Sequence, residues 1–393
     1  MEFSVQQINP PSADGIYNIY APGCASASLF WANDNGPLED WMSFAIVSIE
    51  PNGKGIFVFD GGRAIPKEAT HVYAKALRHD LTYEEALQKI PFQDRAFCNT
   101  PHMKIIVFSD LHLSTKDWKV RRALRAASQA DCVLLVGDIT NDGTSEQFER
   151  FYRCISEILP NTSIFSVVGN HDVPKEPIPQ TIDGISDYCS FQNFLLHQAE
   201  RLNWTIEFDT SGAYAACCGD FEIIGLNAVS HWRRFVFEDG AQLDWLDQHL
   251  KNSVTKHKIF LCHAPLLDHA FHRPKQPYLN RNKQLQSILD EHKDIICLSG
   301  HTHYSLNSSF GCAEKDMLGN IYINTGSVCP TLLMSNESLQ DEEWVEGNGV
   351  ELDFYSDYLE IIGFSAKSKK RISRAYYRFE DNIVFNKRFG SEK

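Results

Sequence analysis

The sequence predicts an α/β fold with a largely parallel sheet, preceded by a small all-β domain. The chain has 393 residues, which exceeds one typical hydrophobic core and favours two domains. Residues 1–100 contain short apolar runs separated by turn residues, which indicates antiparallel strands. In residues 101–393 such runs alternate with helical patterns, which is typical of βαβ units.

The first 100 residues are predicted to form a sandwich-like β domain that ends in a linker. Turn sequences such as Ala21-Pro22-Gly23 separate the predicted strands. One helix is predicted at residues 83–89, because Thr82 and Glu85 have the spacing of a capping box. The predicted strands are 15–20, 27–31, 43–49, 55–59 and 71–76.

The second region begins its strand and helix alternation at residue 104. Its predicted strands are 104–109, 131–136, 164–168, 221–226, 258–262, 294–298 and 321–323. Its predicted helices are 116–129, 145–157, 188–201, 242–250 and 279–293, with Ser114 and Thr144 as caps of the first two. Three further strands at 349–355, 358–364 and 371–379 should pair with one another or close a second sheet, and the acidic segment 336–348 is predicted to be a surface loop.

Five of the predicted strand ends carry Asp, Asn or His residues, either directly or after a short turn that contains glycine. Because ligands bind past the carboxyl ends of parallel strands, we expect these side chains to converge at one sheet edge. The residues are Asp110, His112, Asp138, Asn170, His171, His263, His301 and His303. A single histidine of this kind would be interpreted more simply as a hydrogen-bonded core residue, but five strand ends in the same pattern favour a common site.

The residue types at these strand ends indicate a transition-metal centre. Carboxylates, an amide oxygen and several imidazoles, with no thiolate, suit Fe, Mn, Zn or Ni better than Ca²⁺ or Mg²⁺ alone. Even seven ligands from these eight residues would exceed the need of one ion, but they would serve two ions if one carboxylate bridges them. Residues i and i+2 of an extended segment point the same way, so Asp110 with His112, and His301 with His303, can each serve one ion.

The charge of the chain restricts the class of partner. A formal net charge of -14 argues against binding to duplex nucleic acid, and an anionic substrate would need local cations. Two divalent ions would make the pocket positive within a negative protein. Such a pair would bind the oxygens of a phosphate ester and acidify a water molecule, so a phosphate-ester small molecule is the expected substrate.

The same residues resemble the full motif set of the calcineurin-like, binuclear metallophosphoesterases, over about residues 104–363. The motifs are Asp110-x-His112, Gly137-Asp138, Gly169-Asn170-His171-Asp172, His263 and Gly300-His301-x-His303. The resemblance implies a four-layer α/β/β/α sandwich and two metal ions. It implies one ion on Asp110, His112, Asp138 and His303, and the other on Asp138, Asn170, His263 and His301, with Asp138 bridging.

By the same resemblance His171 faces the substrate and protonates the leaving oxygen, and Asp172 orients its imidazole. Asn170 and His171 would then contact the substrate. Purple acid phosphatases have a tyrosine ligand three residues after the bridging Asp, whereas this chain has Asn141 there. The run Gly137–Gly143 is more similar to class III cyclic-nucleotide phosphodiesterases and their uncharacterised bacterial relatives, which favours phosphodiester substrates. A phosphomonoesterase and a non-catalytic metal-binding scaffold are the alternatives.

Further residues and properties are predicted with less direct signals. The chain has 11 cysteines without framework spacing and no apolar segment after Met1, so we expect reduced thiols in a cytoplasmic protein without a membrane span. The N-terminal domain is a candidate module for binding or homo-oligomerisation. Candidate substrate contacts are Arg233, Arg234, His272, Arg273 and Lys275, although a plain surface charge is the simpler interpretation of each.

Overall fold

The chain divides into two compact units, Met1–Pro101 and His102–Lys393. The computed structural model describes residues 3–8, 16–38, 43, 45–58, 69–89, 101–175, 181–231, 234–267, 269, 278–308, 312–316, 318–334, 341–355, 358–379 and 383–388.

Within its described residues the first unit consists of strands in two sheets. The strands are β1 (Ser4–Ile8), β2 (Ile16–Tyr20), β3 (Cys24–Asn33), β4 (Gly36–Pro37), β5 (Ala45–Ser48), β6 (Lys54–Val58), β7 (His71–Arg78) and β8 (Tyr83–Lys89). One sheet has the order β1-β2-β6, and the other has the order β4-β3-β7-β8 with β5 also paired to β3. Alternate residues of β3 and β7, such as Ala27, Leu29, Val72 and Ala74, form its buried core.

The helix predicted at Tyr83–Lys89 is wrong, because this segment is strand β8 and pairs antiparallel with β7. The cap that suggested the helix closes a turn instead. Thr82 donates its backbone N–H and its hydroxyl to the Asp80 carboxylate, at 3.0 and 2.6 Å. A ladder of backbone hydrogen bonds with β7 therefore overrides a weak local preference.

The second unit contains two seven-stranded sheets and five α-helices among its described residues. The elements of its first half are β9 (Met103–Phe108), α1 (Trp118–Ala126), β10 (Cys132–Val136), α2 (Ser145–Ile158), β11 (Ser163–Val167), α3 (Ser186–Arg201), β12 (Thr205–Phe208), β13 (Tyr214–Cys218), β14 (Phe221–Gly225), β15 (Val229–His231) and β16 (Arg234–Val236). Short 3₁₀ turns lie at Asn170–Asp172 and Ile182–Ile185.

The elements of the second half follow in the same alternating manner before a run of strands. They are α4 (Ala241–Asn252), β17 (His257–Leu261), β18 (Tyr278–Leu279), α5 (Asn282–Glu291), β19 (Ile295–Ser299), β20 (Ala313–Lys315), β21 (Ile321–Asn324), β22 (Thr331–Met334), β23 (Asp341–Val345), β24 (Asn348–Phe354), β25 (Tyr358–Ser365), β26 (Arg371–Arg378) and β27 (Ile383–Arg388).

The prediction that the ligand strands share one largely parallel sheet is wrong. The first sheet has the order β11-β10-β9-β24-β25-β26-β27, and the second has the order β12-β13-β14-β17-β19-β21-β20. Strands β9 to β11 are mutually parallel, as are β14, β17, β19 and β21, and antiparallel strands extend both groups. The C-terminal strands pair with one another and continue the first sheet along β9.

Both sheets contribute to a common apolar cluster. Ile105 and Val107 of β9 pack in one cluster with Ile259 and Ile296 from the second sheet. The alternate residue Ile106 packs with side chains of α1, α2 and α3. Side chains of α4 and α5 form a third cluster with the opposite faces of β14, β17 and β19. The period of two along each strand thus separates the two faces of each sheet.

Two smaller expectations also differ from the structure. The predicted surface loop at 336–348 contains strand β23, which pairs antiparallel with β22, and residues 335–340 lie outside the described part. Helix α1 begins at Trp118 after Asp117 rather than near Ser114. Gln147 accepts hydrogen bonds from the backbone N–H groups of Asn141 and Asp142, at 3.2 and 2.9 Å, and so ties α2 to the loop after β10.

The ten cysteines in the described residues all carry free thiols. In the same residues no helix has both the length and the apolar character that a membrane span requires.

A buried carboxylate, Glu222, joins α4 to the second sheet, and its pairing with a histidine should make the stability of the fold depend on pH. Glu222 is 2% exposed and accepts hydrogen bonds from His249 Nε2 at 2.9 Å and from Ser253 Oγ at 2.6 Å. Burial lowers the pKa of His249, but Glu222 and Glu207 outweigh burial and raise it above the usual value. The protonated imidazole therefore stabilises the fold fully below the unfolded-state pKa of about 6.5, and this contribution is lost as the pH rises through the folded-state pKa.

We expect His249→Gln to lower the free energy of unfolding by about 1–3 kcal/mol at about pH 5.5, and by less at about pH 9. Urea unfolding at both pH values measures the difference. His197→Gln is the matched control, because His197 is 77% exposed and pairs only with the surface residue Glu200 in the described contacts. An equal loss of stability at both pH values would contradict the assigned charge.

Candidate metal centre

The predicted site residues lie at strand ends of both sheets. In the first sheet Asp110 follows β9, Asp138 follows β10, and Asn170 and His171 follow β11. In the second sheet His263 follows β17, and His301 and His303 follow β19. The two sets meet directly, because His303 Nε2 lies 3.0 Å from Asp110 Oδ1. The site is therefore formed where the carboxyl ends of the parallel strands in both sheets come together.

The backbone of the site is unusual. Five of its non-glycine residues have positive φ angles: Asp110 (52°), His112 (45°), Asp138 (51°), His301 (66°) and His303 (55°). The expectation that the Asp-x-His and His-x-His pairs lie on extended backbone is therefore wrong, since the chain turns sharply at each ligand position. A left-handed conformation costs about 1–3 kcal/mol at such a residue, and strain of this kind clusters at functional sites.

Asp110 has its two carboxylate oxygens in different roles. Its Oδ2 accepts hydrogen bonds from the Ser109 hydroxyl and from the backbone N–H of His301, the latter at 3.1 Å. Its Oδ1 faces three imidazoles, and lies 4.0 Å from Nε2 of both His112 and His263. Ser109 thus orients the carboxylate so that one oxygen is directed to the histidines.

Asp138 divides its oxygens in the same way. Its Oδ1 accepts the backbone N–H of His171 at 2.7 Å, and its Oδ2 lies 3.7 Å from His112 Nε2 and 3.4 Å from His263 Nε2. Gly169 is required beside it, because a Cβ at this position would overlap the Asp138 backbone N and carboxylate. Asp138 therefore lies between a histidine of the first sheet, His112, and a histidine of the second sheet, His263.

Three of the histidines direct Nε2 at these carboxylates, namely His112, His263 and His303. His263 donates Nδ1–H to the backbone oxygen of Val136 at 2.6 Å, which leaves its Nε2 directed to Asp110 and Asp138. His112 Nε2 and His303 Nε2 lie only 3.2 Å apart. The rings of His263 and His301 are 5.3 Å apart, and Phe235 packs edge-on against His301.

Burial and the neighbouring charges shift the pKa values of Asp110, Asp138 and His301. Burial raises the pKa of Asp110, but His303 and His263 outweigh burial and lower it to about 2. The same opposition, with His263 as the strongest partner, lowers the pKa of Asp138. Burial and the neighbouring His263 lower the pKa of His301 to about 3. Both carboxylates are therefore anionic and His301 is neutral at pH 7, which is the state in which these groups bind a metal ion.

The donor atoms fit a metal. Among the described residues, four buried atoms of the site make no hydrogen bond: Asp110 Oδ1, Asn170 Oδ1, His263 Nε2 and His301 Nε2. Two of them have only an ion-pair neighbour, since His303 Nε2 lies 3.0 Å from Asp110 Oδ1 and Asp138 Oδ2 lies 3.4 Å from His263 Nε2. An unpaired buried polar atom costs about 1–3 kcal/mol, and each of these is an atom type that coordinates transition metals. Three groups place their ligand atoms within 4.8 Å of one another, namely Asp110 with His112 and His303, His112 with Asp138 and His171, and Asp110 with Asp138 and His263.

The expected contact between Asp172 and the His171 imidazole is wrong. His171 Nδ1 lies 2.9 Å from the backbone oxygen of Asn141, and its ring packs edge-on against His112. The Asp172 carboxylate instead binds the loop after β10 through the backbone and hydroxyl of Thr140. The Asn141 carbonyl therefore holds the tautomer of His171, because a main-chain oxygen is closer to Nδ1 than any carboxylate in the described contacts.

Several residues that shape the site were not among those predicted from the sequence. Ser109 and Thr140 hold carboxylates, and Asn227 accepts the backbone N–H of Val168 at 3.0 Å, two residues before Asn170. Asn227 could have been found, because it follows the buried strand β14 as the ligands follow theirs. Of the candidate substrate contacts, Arg234 lies in β16 with its side chain outside the description, while Arg233, His272, Arg273 and Lys275 lie outside the described residues.

Comparisons with known proteins relate the chain to phosphoesterases. A sequence model of the calcineurin-like phosphoesterase family matches residues 103–305, which is more than half of the chain. A probable cyclic nucleotide phosphodiesterase of a Synechococcus strain is 24% identical over 194 residues, covering 48% of this chain and 66% of that protein. A probable glycerophosphodiester phosphodiesterase of Arcobacter nitrofigilis is 23% identical over 177 residues, covering 44% of this chain and 56% of that protein.

The chain thus spans less than two thirds of the length of each of these curated relatives. Among solved structures, a purple acid phosphatase from yellow lupin seeds aligns at 13% identity with a TM-score of 0.49, covering 96% of this chain and 74% of that chain.

Proposed function

The chain belongs to the calcineurin-like phosphoesterase family, and we propose that it is a metal-dependent hydrolase of small-molecule phosphodiesters. The observation that supports this proposal best is the set of unpaired buried ligand atoms around Asp110 and Asp138. The relatives are named for cyclic nucleotides and glycerophosphodiesters, and both of these are phosphodiesters. A phosphomonoesterase with the same centre is the alternative within this class.

The proposed centre holds two ions of Mn, Fe, Zn or Ni. One would be bound by Asp110, His112, Asp138 and His303, and the other by Asp138, Asn170, His263 and His301. A pair of such ions supplies Lewis acidity to the phosphoryl oxygens and acidifies a water molecule for attack. The position of Asp138 Oδ2, within 4 Å of His112 Nε2 and His263 Nε2, supports its role as the shared ligand.

The protein's own groups then have distinct tasks. Asn170 contributes a neutral oxygen and so adds no negative charge that would repel the phosphate. His171 acts as the general acid: its Nδ1–H stays on the Asn141 carbonyl while Nε2–H passes to the leaving oxygen as the P–O bond breaks. The imidazole becomes neutral in this step without a change of tautomer. Ligand atoms of His171, His112 and Asp138 lie within 4.8 Å of one another, so a His171 variant is to be measured for metal affinity as well as for turnover.

A panel of phosphate-ester substrates tests this function directly. Hydrolysis of cyclic nucleotides, linear diesters such as bis-(p-nitrophenyl) phosphate, and phosphomonoesters is measured on the full chain with Mn²⁺, Fe²⁺, Zn²⁺ and Ni²⁺. We expect diesters to be preferred in kcat/KM. A preference for monoesters would select the alternative, and metal binding without hydrolysis of any member would indicate a non-catalytic scaffold.

The layered arrangement and the cellular setting are part of the same proposal. Apolar clusters lie between the two sheets and on the helix-facing side of each, which supports four layers in the order α/β/β/α. The free thiols of the described cysteines support a reducing, cytoplasmic compartment.

The N-terminal unit is proposed as a module for homo-oligomerisation or binding. Its described surface includes the exposed apolar side chains Ile46, Leu81 and Tyr83, at 72%, 76% and 58% exposure. Deletion of residues 1–100 should then lower the oligomer mass measured by light scattering or change the substrate preference. If the mass and the preference both stay the same, the module has neither role.

A further inference from the structure

We propose that Asp172 and Thr140 form a clamp that holds together the two metal-binding loops after β10 and β11. This inference rests on the proposed function, because the clamp would position the proposed metal ligands. Asp172 is 1% exposed, and each of its oxygens accepts two hydrogen bonds. Its Oδ1 accepts the N–H of Thr140 at 2.8 Å and the Thr140 hydroxyl at 2.9 Å. Its Oδ2 accepts the N–H of Ile139 at 3.2 Å and that of Gly169 at 3.0 Å.

Thr140 connects the same two loops through its hydroxyl group. This side chain is fully buried, and its Oγ1 accepts the backbone N–H of Gly143 at 3.1 Å while donating toward Asp172. The backbone oxygen of His171 lies 3.2 Å from the same Oγ1. The loops pack closely, because a Cβ on Gly143 would come within 2.8 Å of the Asp172 backbone. Thr140 and Asp172 therefore belong to one hydrogen-bond network, and a displacement of either side chain would break bonds in both loops.

The clamp lies between residues that we assign to the metal centre. Asp138 is two residues before Thr140, and Asn170 and His171 lie between the clamped residues Gly169 and Asp172. The backbone N–H of His171 is also hydrogen-bonded to Asp138 Oδ1. A shift of one loop against the other would change the separation of Asp138 and Asn170, the ligands proposed for the same ion. Asp172 is thus a positioning residue that acts through these ligands.

The geometry argues against a direct role of Asp172 on the His171 ring. Both oxygens of Asp172 already accept hydrogen bonds from three backbone N–H groups and one hydroxyl. The Nδ1 of His171 is occupied by the Asn141 carbonyl. A contact between the carboxylate and the ring would require Asp172 to leave buried N–H groups unpaired, at about 1–3 kcal/mol each.

The test compares Thr140→Val, Thr140→Ser, Asp172→Asn and the double variant Thr140→Val/Asp172→Asn in the full-length chain. Mn²⁺ affinity is measured by calorimetry, and the melting temperature is measured without metal. Loss of a group that orients ligands typically costs about 10–100-fold in metal affinity, and we expect this for Thr140→Val and Asp172→Asn. Thr140→Ser keeps the hydroxyl and should bind Mn²⁺ within about threefold of the natural chain. The double variant should lose less than the product of the single losses, because both residues belong to one network.

Three results would overturn the clamp. Mn²⁺ affinity that is unchanged in Thr140→Val, with only a lower melting temperature, would show a purely structural role. Independent losses in the double variant would show that the residues do not act together. Asp172→Asn with normal affinity but the leaving-group dependence expected of a His171 variant would restore Asp172 as the partner of that ring. If the natural chain hydrolyses no phosphate ester, the proposed function fails while Mn²⁺ affinity still tests the clamp.

Discussion

Asp138→Ala is expected to lower kcat by at least about 10³-fold, which corresponds to about 4 kcal/mol of transition-state stabilisation. Asp138 is the carboxylate that lies between His112 and His263, and we propose that it binds both ions. Its removal would leave both sites with a missing ligand and His263 without its nearest carboxylate. Turnover of bis-(p-nitrophenyl) phosphate at saturating Mn²⁺, together with the metal content of the purified protein, measures the effect.

Asp239→Ala is the matched control for this variant. Asp239 has the same left-handed backbone, with φ of 46° against 51° at Asp138, but its side chain is exposed. The control therefore makes the same change from Asp to Ala on left-handed backbone without removing a ligand. Full activity of Asp138→Ala in added Mn²⁺ would refute the proposed centre.

The proposed metal centre can also be tested without measuring turnover, through the effect of metal on the melting temperature. A ligand that binds only the folded state stabilises it by about 2.7 kcal/mol at a concentration of 100 times Kd. We expect Mn²⁺ to raise the melting temperature of the natural chain and of Asp239→Ala, and a chelator to reverse the change. Asp138→Ala should show little or no response to Mn²⁺. A melting temperature that is indifferent to Mn²⁺ and to chelation in the natural chain would exclude a centre that binds this metal.

His171→Gln is expected to lower kcat by about 10²–10⁴-fold on substrates with poor leaving groups, because general acid catalysis typically contributes this much. On esters of p-nitrophenol, whose oxygen leaves readily without a proton, the loss should be much smaller. The limb of the pH–rate profile that reports the His171 proton should disappear. A series of diesters with leaving groups of graded acidity measures both effects.

His112→Gln provides the contrast that separates an acid from a ligand. His112 lies beside His171, with ring centroids 4.5 Å apart, but we assign it to the metal. His112→Gln should lose Mn²⁺ affinity and slow all substrates alike, whereas His171→Gln should keep its affinity. Equal losses of Mn²⁺ affinity in the two variants would place His171 among the metal ligands. The assignment of His171 as the general acid would then be wrong.

The positions of the site residues at strand ends could be predicted from a local pattern in the sequence. An apolar run followed by Asp, Asn or His marks the carboxyl end of a buried strand, and the side-chain type restricts the ion. The structure brings Asp110, His112, Asp138, His263 and His303 together within 4 Å contacts, although 193 positions separate the first from the last. The bounds of helices α2, α3 and α4 were likewise predicted to within a few residues.

What the sequence could not determine were the contacts made by backbone atoms, since every residue type carries the same C=O group and all except proline carry the same N–H group. The Asn141 carbonyl, rather than the Asp172 carboxylate, holds His171, and Val136 holds His263. Strand β8 was mistaken for a helix because its pairing with β7 outweighs the local cap. The division of the ligand strands between two sheets was also missed, because strand partners are chosen by packing across long sequence separations. Residue chemistry therefore determined which atoms the site contains, and only the tertiary structure decided how those atoms are held.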